Sequence, residues 1–350
     1  MSLISSAALA PFSVLYGAVT RTRHALYQSG LLPVHDVGAP VISVGNITAG
    51  GTGKTPLVAW LARAAAAEGR RVCVLSRGYK RADPGRRVLV SDGKQLLAGA
   101  REGGDEPRLL AENLLGAAAI VSDADRVAAA VWARQHLGSD LFILDDGFQH
   151  FRIQRDLNIV VLDATDPWGG GRFLPRGRLR ESPSGLRRAD CIVMTRAELT
   201  ADLAKLRDSV RRQSGNRPVL TAHTRTSRLR PLCPTPPPPD VIEHAKPTGP
   251  FAAFCALGNP QAFFAHSRQD QFPLALTRAF PDHHAYTQHD IDALAAEAAR
   301  NGAQALLTTA KDAVKLGELN FALPCFVLEI ELTFDDEATM RELLRAVLAS

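Results

Sequence analysis

Residues 48–55 read Thr48-Ala49-Gly50-Gly51-Thr52-Gly53-Lys54-Thr55. The apolar run Val41-Ile42-Ser43-Val44 before them predicts a short buried strand, and Pro56 after them favours the first turn of a helix. The three glycines allow backbone N–H groups to turn inward without Cβ clashes, and the amino end of the following helix adds positive potential. All eight residues are therefore predicted to form a loop that binds the phosphates of a nucleoside triphosphate.

Two side chains of this loop have specific predicted roles. Lys54 is placed to reach the β- and γ-phosphates of ATP, and the Thr55 hydroxyl is placed to bind Mg²⁺. Thr48 stands where the strict motif has glycine, so the loop is glycine-rich only in its second half. The alternative is a glycine turn without a ligand, but the strand, the Lys-Thr pair and the helix together favour the phosphate loop.

A second apolar run ends in two carboxylates. Leu141-Phe142-Ile143-Leu144 is followed directly by Asp145 and Asp146. Nucleotide-binding parallel sheets place acidic groups at the carboxyl edge of their strands, beside Mg²⁺. We therefore expect Thr55 to hold Mg²⁺ together with Asp145 or Asp146. Taken alone, an Asp-Asp-Gly sequence also fits an ordinary turn after a strand.

Apolar runs alternate with helical stretches along most of the chain. Such alternation predicts parallel strand pairing, so the expected fold class is α/β: a P-loop NTPase-like, doubly wound, mostly parallel sheet with a second, smaller α/β domain. Strands are predicted at residues 41–44, 72–76, 118–121, 141–144, 159–162, 192–195, 251–257, 305–309 and 326–332, and helices at 56–69, 125–136, 289–300 and from 336 to the C-terminus.

The composition changes near residue 222. Thr224–Arg230 is polar, and Pro234–Pro239 contains five prolines in six positions, which fit neither a sheet interior nor a helix. We interpret this region as a connection between domains. The predicted organisation is a membrane-associating N-terminal helix at residues 1–30, a phosphate-loop domain at 31–222 and a smaller C-terminal α/β domain at 223–350.

The composition also limits the class of protein. Of 350 residues, 46% are hydrophobic and 22% are charged, which excludes a mostly disordered chain and a polytopic membrane protein. The net charge is only +5, but the isoelectric point of about 9.1 indicates an anionic partner. Aromatic residues make up only 6% and no basic-aromatic stripe is present, which argues against nucleic acid. The five scattered cysteines, without a CxxC pair, predict buried, reduced thiols in a cytoplasmic protein.

The N-terminal stretch is moderately apolar and its positive charges follow it. No charged side chain precedes Arg21, the reverse of the order in a secretory signal. Pro11 and several serines weaken a helix that spans a membrane. Two interpretations stay open: an interfacial helix that holds the protein at a membrane surface, and a helix packed on the body of the protein.

Taken together, several blocks of the sequence resemble the tetraacyldisaccharide 4'-kinase family, the lipid A 4'-kinases. The blocks run in order from about residue 10 to residue 332. They are Val44–Thr48 with Lys54-Thr55-Pro56, Ser76-Arg77-Gly78-Tyr79, Gly104-Asp105-Glu106-Pro107, Asp123-Ala124-Asp125-Arg126, Asp145-Asp146-Gly147-Phe148-Gln149-His150, Leu174-Pro175 to Leu179-Arg180-Glu181, Asp282-His283-His284 and Thr308-Thr309-Ala310-Lys311-Asp312.

This resemblance implies a function. It implies transfer of the ATP γ-phosphate to the 4'-hydroxyl of a tetraacylated, 1-phosphorylated glucosamine disaccharide. The implied partners are this lipid and a membrane surface, at the cytoplasmic face of a Gram-negative inner membrane. No obligate protein partner is evident in the sequence.

The resemblance also implies roles for individual residues. Asp105 is implied as the general base that takes the proton of the sugar hydroxyl, in a pair with His283. Arg77 and Arg126 are implied as stabilisers of the γ-phosphate or the leaving group. Judged without the resemblance, Asp105 fits a helix N-cap. Surface or capping positions would likewise suit Arg77 and Arg126, and also Tyr79, Gln149 and His150. Contacts to substrate or nucleotide are implied for Tyr79, Gln149 and His150.

Two further clusters of residues leave alternatives open. Six arginines between Arg172 and Arg188 accompany one acid, Glu181. Their bidentate geometry suits a lipid phosphate or anionic headgroups, with Arg178 as the candidate substrate contact, but a solvated basic loop has the same composition. The histidines and aspartates of residues 282–290 fit a polar loop before a helix, or a metal cluster whose spacing matches no definite pattern.

The rival function is a switch NTPase that binds a protein partner. Its phosphate loop has the same Gly-Gly-x-Gly-Lys-Thr pattern. A switch hydrolyses nucleotide without an acceptor, whereas a kinase needs one. Dependence of phosphate transfer on the acceptor lipid therefore separates the two functions.

Overall fold

The structure, a computed structural model, describes residues 8–232 and 249–349. The chain divides into two compact units: Met1–Thr224 together with Leu332–Ser350, and Arg225–Glu331. The proline-rich run Pro234–Pro239, predicted as part of the connection between domains, lies outside the described residues.

The strands in chain order are β1 (Val41–Gly45), β2 (Val72–Ser76), β3 (Val88–Ser91), β4 (Ala118–Ser122), β5 (Leu141–Asp145), β6 (Leu157–Asp163), β7 (Cys191–Thr195), β8 (Val219–Pro231), β9 (Phe251–Cys255), β10 (Leu274–Ala279), β11 (Ala305–Thr309) and β12 (Cys325–Phe334). The α-helices are α1 (Ala10–Gln28), α2 (Lys54–Ala67), α3 (Ala100–Gly103), α4 (Asp105–Asn113), α5 (Arg126–Leu137), α6 (Leu203–Ser214), α7 (Pro260–Gln269), α8 (Gln288–Arg300), α9 (Ala310–Ala313) and α10 (Glu337–Leu348). Short 3-10 helices occur at Gly169–Gly171, Pro183–Arg188 and Ala197–Leu199.

Each unit contains a mostly or wholly parallel arrangement of strands. In the first unit the order is β8-β7-β6-β1-β5-β2-β4-β3, and neighbours run parallel except β3, which is antiparallel to β4. In the second unit the order is β10-β9-β11-β12, with parallel neighbours. The predicted class, a mostly parallel α/β fold with a second, smaller α/β unit, is confirmed.

Helices cover both faces of the first unit's sheet because its central strands are apolar on both sides. In β5, Leu141 and Ile143 belong to the apolar cluster that includes helix α2, whereas Phe142 and Leu144 belong to the cluster that includes α5. All four side chains are buried. Successive side chains of a strand point to opposite faces, so a continuous apolar run requires a layer of helices on each side.

Three strands, β3, β8 and β10, were not predicted from the sequence. β3 and β10 stand at the ends of the strand orders and are only partly buried. β8 is buried over its first four residues and largely accessible afterwards. The polar segment Thr224–Arg230, interpreted as a connection, is the second part of this strand. Strands are recognised in a sequence by their apolar pattern. Because these strands bury little surface, their apolar pattern is weak and they were missed.

Helix α10 belongs to the first unit. Met340, Leu344 and Val347 are buried in the apolar cluster that also contains residues of α2. The predicted C-terminal domain, residues 223–350, is therefore corrected at its end, because the chain returns to the first unit within β12. The amphipathic pattern predicted the helix, but such a pattern does not tell which core a helix covers.

The described cysteines are buried and form no disulfide. They are Cys73, Cys191, Cys255 and Cys325, and Cys233 lies outside the described residues. Burial raises the pKa of the Cys73, Cys191 and Cys255 thiols to about 12. Since the thiolate is the reactive form, these thiols are poor nucleophiles at neutral pH. The prediction of buried, reduced thiols is confirmed for these four residues.

The first half of helix α1 packs through small residues and exposes large ones. The Ser13 hydroxyl donates to the Phe173 carbonyl at 2.7 Å, and a Cβ placed on Gly17 would lie 3.0 Å from the Phe173 ring. Over residues 8–232 and 249–349, no helix is long and apolar enough to cross a membrane. Large apolar side chains of α1 that are between 57% and 69% exposed are Phe12, Val14, Leu15 and Val19, whereas Tyr16, Leu26 and Tyr27 are half-buried.

Candidate active site

The predicted phosphate loop connects β1 to α2. Gly53, with φ of +83°, is the N-cap of α2, which begins at Lys54, two residues before the predicted Pro56. Within the loop, the Asn46 amide donates to the Thr52 hydroxyl at 3.0 Å, and the Thr195 hydroxyl donates to the Thr52 carbonyl at 2.8 Å. Side chains from outside the loop thus fix its course, and the free N–H groups of the first helical turn face the loop.

The two predicted carboxylates stand directly beside this loop. Strands β1 and β5 pair in parallel with Val44 opposite Asp145, so the carboxyl end of β5 lies next to the start of the loop. Asp145 is 2% exposed and accepts a hydrogen bond from the Ser76 hydroxyl at 3.2 Å. Burial, together with the negative charges of Glu106 and Asp146, raises the pKa of Asp145 to about 7.

Asp146 lies among cations. Its carboxylate is 3.4 Å from Lys54 Nζ and 2.6 Å from Arg180 Nη1, and its main-chain carbonyl accepts from Arg126 Nη1 at 3.2 Å. Although burial acts in the other direction, Lys54 and Arg180 hold the pKa of Asp146 well below its usual range. Asp146 also adopts φ of +53°, a left-handed conformation that aspartate tolerates better than most residues.

These environments indicate which carboxylate suits Mg²⁺. Lys54 and Arg180 already balance the charge of Asp146, whereas Asp145 is a buried carboxyl group whose ionisation is opposed by burial and by the carboxylates of Glu106 and Asp146. A hard divalent cation prefers oxygen ligands and would relieve this repulsion. The residues present therefore fit Mg²⁺ held by Asp145 with Thr55, the second residue of α2.

The predicted arginine Arg126 is the first residue of α5 and is 5% exposed. Burial lowers its pKa, while Asp146 and Asp145 act to raise it and Arg77 acts to lower it. Arg126 Nε is buried and has no hydrogen-bond partner among the described residues. Arg77, which is exposed, lies close enough to repel Arg126. The structure thus brings Arg126 to the carboxylate pair and Arg77 to the neighbourhood of Arg126.

Asp105 begins helix α4 after two glycines. Gly104 is the N-cap with φ of +100°, and a Cβ on it would lie 3.1 Å from Gly78 Cα. The turn that contains Gly78 therefore packs closely on the turn before Asp105. The neighbouring Glu106 is near enough to Asp145 to raise its pKa. Tyr79, predicted as a substrate contact, is 61% exposed on the same turn.

The three other predicted contacts of the first unit have different surroundings. The Gln149 amide donates to Asn46 O at 2.8 Å and to Glu181 Oε1 at 2.6 Å. Burial and several nearby arginines, with Arg126 the strongest, lower the pKa of His150 to about 3, so its imidazole is neutral. Arg178 is ion-paired with Asp166, and its carbonyl accepts from Ala49 N at 2.6 Å. Arg178 thus adjoins the phosphate loop.

His283 lies in the second unit, in the segment between β10 and α8. It adopts φ of +61°, and its Nε2 is 3.5 Å from Lys311 Nζ and 3.9 Å from Asp282 Oδ1. Asp312, fully buried, accepts from Ala256 N and the Tyr286 hydroxyl, and so ties this segment to β9.

The predicted helix start next to His283 is confirmed. Thr287 and Asp290 form a reciprocal capping box at α8, and His284 Nε2 is 3.1 Å from Asp290 Oδ2. In the part of the chain that the structure describes, no group of three or more His, Cys, Asp or Glu side chains is arranged to hold a metal ion.

Three residues of this site had no specific role in the sequence-based prediction: Ser76, Glu106 and Arg180. Ser76 and Glu106 lie within motif blocks, but the hydrogen bond from Ser76 to Asp145 and the electrostatic effect of Glu106 on Asp145 depend on strand pairing and helix placement. Arg180 was one of six arginines in a basic segment, and only its 2.6 Å contact to Asp146 distinguishes it from the others. The signal in the sequence was the motif block Leu179-Arg180-Glu181.

Comparisons with known proteins agree with this geometry. The family model Tetraacyldisaccharide-1-P 4'-kinase matches residues 5–349. The chain is 41% identical over 311 residues to the tetraacyldisaccharide 4'-kinase of Geobacter metallireducens, covering 89% of this chain and 88% of that protein. It is 38% identical over 347 residues to the Geobacter sulfurreducens enzyme, covering 98% and 93%.

A solved structure covers the chain almost completely. The crystal structure of LpxK from Aquifex aeolicus in complex with ATP matches with a TM-score of 0.74 and 31% identity, over 98% of this chain and 99% of that one. The motif blocks, the fold and these relatives lead to one conclusion: the chain belongs to the tetraacyldisaccharide-1-P 4'-kinase family.

Proposed function

We propose that this chain transfers the γ-phosphate of ATP to the 4'-hydroxyl of tetraacyldisaccharide 1-phosphate. The observation that carries the proposal is the phosphate loop beside the Asp145–Asp146 pair, set by the register of Val44 with Asp145. Loop amides and Lys54 would hold the phosphates, and Asp145 with Thr55 would hold Mg²⁺. When bound, Mg²⁺ neutralises charge that develops on the phosphate oxygens.

The acceptor hydroxyl needs a base. In the proposed step its oxygen forms a bond to the γ-phosphorus, the bond from that phosphorus to the bridging oxygen breaks, and ADP leaves. The hydroxyl proton passes to the Asp105 carboxylate. Asp105 begins a helix whose next residue, Glu106, is near Asp145, which supports its assignment to the same site. Arg77 and Arg126 would stabilise the transferred phosphoryl group.

The pairing of Asp105 with His283 rests on the family resemblance. If both residues act on the same proton transfer, the losses in kcat should be much less than additive in the double variant. We expect Asp105→Ala to lower kcat by about 10²–10⁴-fold with ATP binding little affected. Strictly additive losses for Asp105→Ala and His283→Ala would contradict the pairing.

Acceptor dependence tests the function itself. Purified protein should convert ATP to ADP in the presence of disaccharide 1-phosphate, with the label of γ-³²P-ATP recovered in the lipid. Nucleotide hydrolysis of equal rate without acceptor, and without labelled lipid, would favour the switch NTPase. The remaining substrate contacts, Tyr79, Gln149, His150 and Arg178, stay predictions that acceptor KM values of single variants would test.

We further propose that α1 holds the enzyme at the cytoplasmic face of the inner membrane. Its packed side uses Ser13 and Gly17, and its exposed side carries large apolar residues, the arrangement of an interfacial helix. Phe12→Gln with Leu15→Gln should reduce binding to phospholipid vesicles without changing the KM for ATP. Val131→Gln, an exposed apolar site on α5, is the matched control. Vesicle binding equal to wild type would contradict the proposal.

A further inference from the structure

A buried arginine outside the motif blocks lies where several segments of the candidate site meet. Arg81 follows the block Ser76–Tyr79 and is 4% exposed. Its Nη1 donates to the Ser122 carbonyl at 2.5 Å and to the Ser122 hydroxyl at 3.0 Å, and its Nη2 donates to the Pro84 carbonyl at 2.7 Å. No step of the proposed phosphate transfer uses this side chain.

The guanidinium group of Arg81 fixes the turn that follows β2. Strands β2 and β4 pair in parallel with Ser76 opposite Ser122, and the Asp123 amide donates to the Ser76 carbonyl at 2.9 Å. The turn that contains Gly78 therefore leaves β2 directly beside the end of β4. Because Arg81 stands at the far end of that turn and donates to Ser122, both ends of the turn are held on β4.

The turn packs on the backbone that leads into helix α4. A Cβ on Gly78 would lie 2.8 Å from Arg81 Cδ and 2.9 Å from the Gly103 carbonyl oxygen, so both atoms lie close to the same glycine. The Ala82 amide also donates to the Arg101 carbonyl at 2.9 Å, which ties the segment after the turn to α3. The first residue of α4 is the proposed base, and its position therefore depends on where this turn lies.

Packing alone does not explain a charged side chain at this position. Removing a guanidinium group from water costs free energy, and an apolar side chain of similar volume would fill the same space without that cost. Hydrogen bonds are directional, however, whereas apolar contacts are not. The three hydrogen bonds from the planar group of Arg81 to Ser122 and Pro84 thus fix the orientation of the turn as well as its burial.

We propose that Arg81 is a positioning residue for Asp105. Its hydrogen bonds hold the turn of Gly78 against the backbone before α4, and this contact sets the distance between the Asp105 carboxylate and the acceptor hydroxyl. Arg81 acts through the backbone and not on the reacting atoms. This inference rests on the proposed function, since it concerns the residue that the proposed function assigns as the base.

The test compares Arg81→Lys in two backgrounds. Lysine keeps the positive charge but offers a single nitrogen in place of the planar fork. Arg81→Lys should lower kcat for acceptor phosphorylation about tenfold, because a small displacement of a reacting group costs at least that much, and should change the KM for ATP less than about twofold. In Asp105→Ala protein the same substitution should lower kcat less than about twofold, since the group that it displaces is absent.

Two further variants accompany this comparison, and thermal unfolding verifies that every variant folds. Arg86→Gln, at an exposed arginine between β2 and β3, is the matched control and should leave kcat within about twofold in both backgrounds. Ser122→Ala removes one of the three oxygens that accept from Arg81 and keeps the other two. It should lower kcat about threefold when Asp105 is present and have little effect in Asp105→Ala.

The outcomes separate this inference from the proposed function. Absence of labelled lipid with wild type contradicts the function. Unchanged kcat in folded Arg81→Lys overturns the inference alone. An equal loss from Arg81→Lys in both backgrounds would show that the substitution only reduces the fraction of active protein, and it overturns the inference. A loss that persists in Asp105→Ala but disappears in Arg77→Ala would show that Arg81 acts through the turn of Arg77, and it overturns the inference as well.

Discussion

Two adjacent carboxylates at the end of β5 meet opposite environments. Asp146 lies against Lys54 and Arg180, which favour its charged form, whereas burial and neighbouring carboxylates oppose the ionisation of Asp145. Neighbours in sequence can differ in this way because successive residues point to different sides of the chain. Asp146 thus pairs with the lysine of the phosphate loop, whereas the ionised form of Asp145 is disfavoured until a divalent cation offsets its charge.

Replacing Lys54 tests the phosphate loop. In Lys54→Ala the preorganised contact to the nucleotide phosphates is lost, while Arg180 still pairs with Asp146. We expect turnover to fall by about 10²–10³-fold in an assay of acceptor phosphorylation. Lys94→Ala, at an exposed lysine in the turn after β3, is the control. Unchanged turnover in folded Lys54→Ala protein would contradict the loop assignment.

Replacing Asp145 tests its electrostatic environment. The pKa of this carboxyl rises from an ordinary 3.8 to about 7 in the folded protein. The folded state therefore binds the proton more tightly, and metal-free protein loses stability as pH rises through this interval. Asp145→Asn keeps the acceptor oxygen for Ser76 but carries no charge, so it should be more stable than wild type at pH 8 and lose that advantage at pH 4.

Urea unfolding at the two pH values measures this difference. Adding Mg²⁺ with a non-hydrolysable ATP analogue should raise the unfolding temperature of wild type more than that of Asp145→Asn, because ligand binding to the folded state stabilises it. A variant that is less stable than wild type at pH 8, or that gains as much from Mg²⁺, would contradict the assignment of Asp145 as a buried metal ligand.

At the scale of elements, the sequence predicted what local chemistry determines. The glycine-rich loop, the two carboxylates at the end of β5 and the capping box at Thr287 each depend on residues within a short segment, and the structure contains all three. Contacts between distant segments, such as Arg180 with Asp146, depend on how strands pair and were not predictable from spacing. The partly exposed strands β3 and β10 were missed because their burial is too small to impose an apolar pattern.

The turn after β2 shows how one element positions another. Gly78 has φ of +65°, and a Cβ there would lie 1.9 Å from Ser122 Oγ and 2.9 Å from Gly103 O. Any larger residue must displace the backbone just before Asp105. Gly69, with φ of +85°, has no atom within 4 Å of the position that a Cβ would take. Both glycines have a left-handed conformation, but only Gly78 has atoms close to the position of a Cβ. Comparing alanine substitutions at the two positions therefore separates the cost of backbone strain from the cost of a steric clash.

We expect Gly69→Ala to lower the free energy of unfolding by about 1–2 kcal/mol, the cost of a left-handed alanine. Gly78→Ala should cost more, because a tight backbone contact adds to the same strain. It should also lower turnover, since the displaced backbone leads into the helix that begins at Asp105. Urea unfolding and the acceptor assay measure both effects. Equal stability losses, with turnover unchanged, would show that the contact is easily relieved.

At the scale of the whole molecule, the chain leaves the first unit within β8 and returns to it within β12. The sequence predicted two α/β units because strand and helix patterns resume after residue 250. It did not predict the return, because the apolar stripe of α10 has the same spacing whichever core it covers. Met340, Leu344 and Val347 complete the core next to α2, so the C-terminal helix supports the helix that follows the phosphate loop.

This arrangement predicts that a change near the C-terminus weakens the first unit. Leu344 is 2% exposed in the cluster that contains Leu57 and Leu61 of α2. Leu344→Ala should lower the free energy of unfolding by about 2–5 kcal/mol, from lost burial and the cavity left behind. Trp60, whose ring lies 5.0 Å from that of Phe334, reports on this core by fluorescence.

The control is Glu342→Ala, at an exposed position of the same helix, which should change the free energy of unfolding by less than about 0.5 kcal/mol. Because α2 carries Lys54 and Thr55 in its first turn, a loosened core should also raise the KM for ATP in Leu344→Ala at temperatures where the variant is still folded. If the Trp60 transition of Leu344→Ala coincided with that of wild type, helix α10 would not be part of the first unit's core.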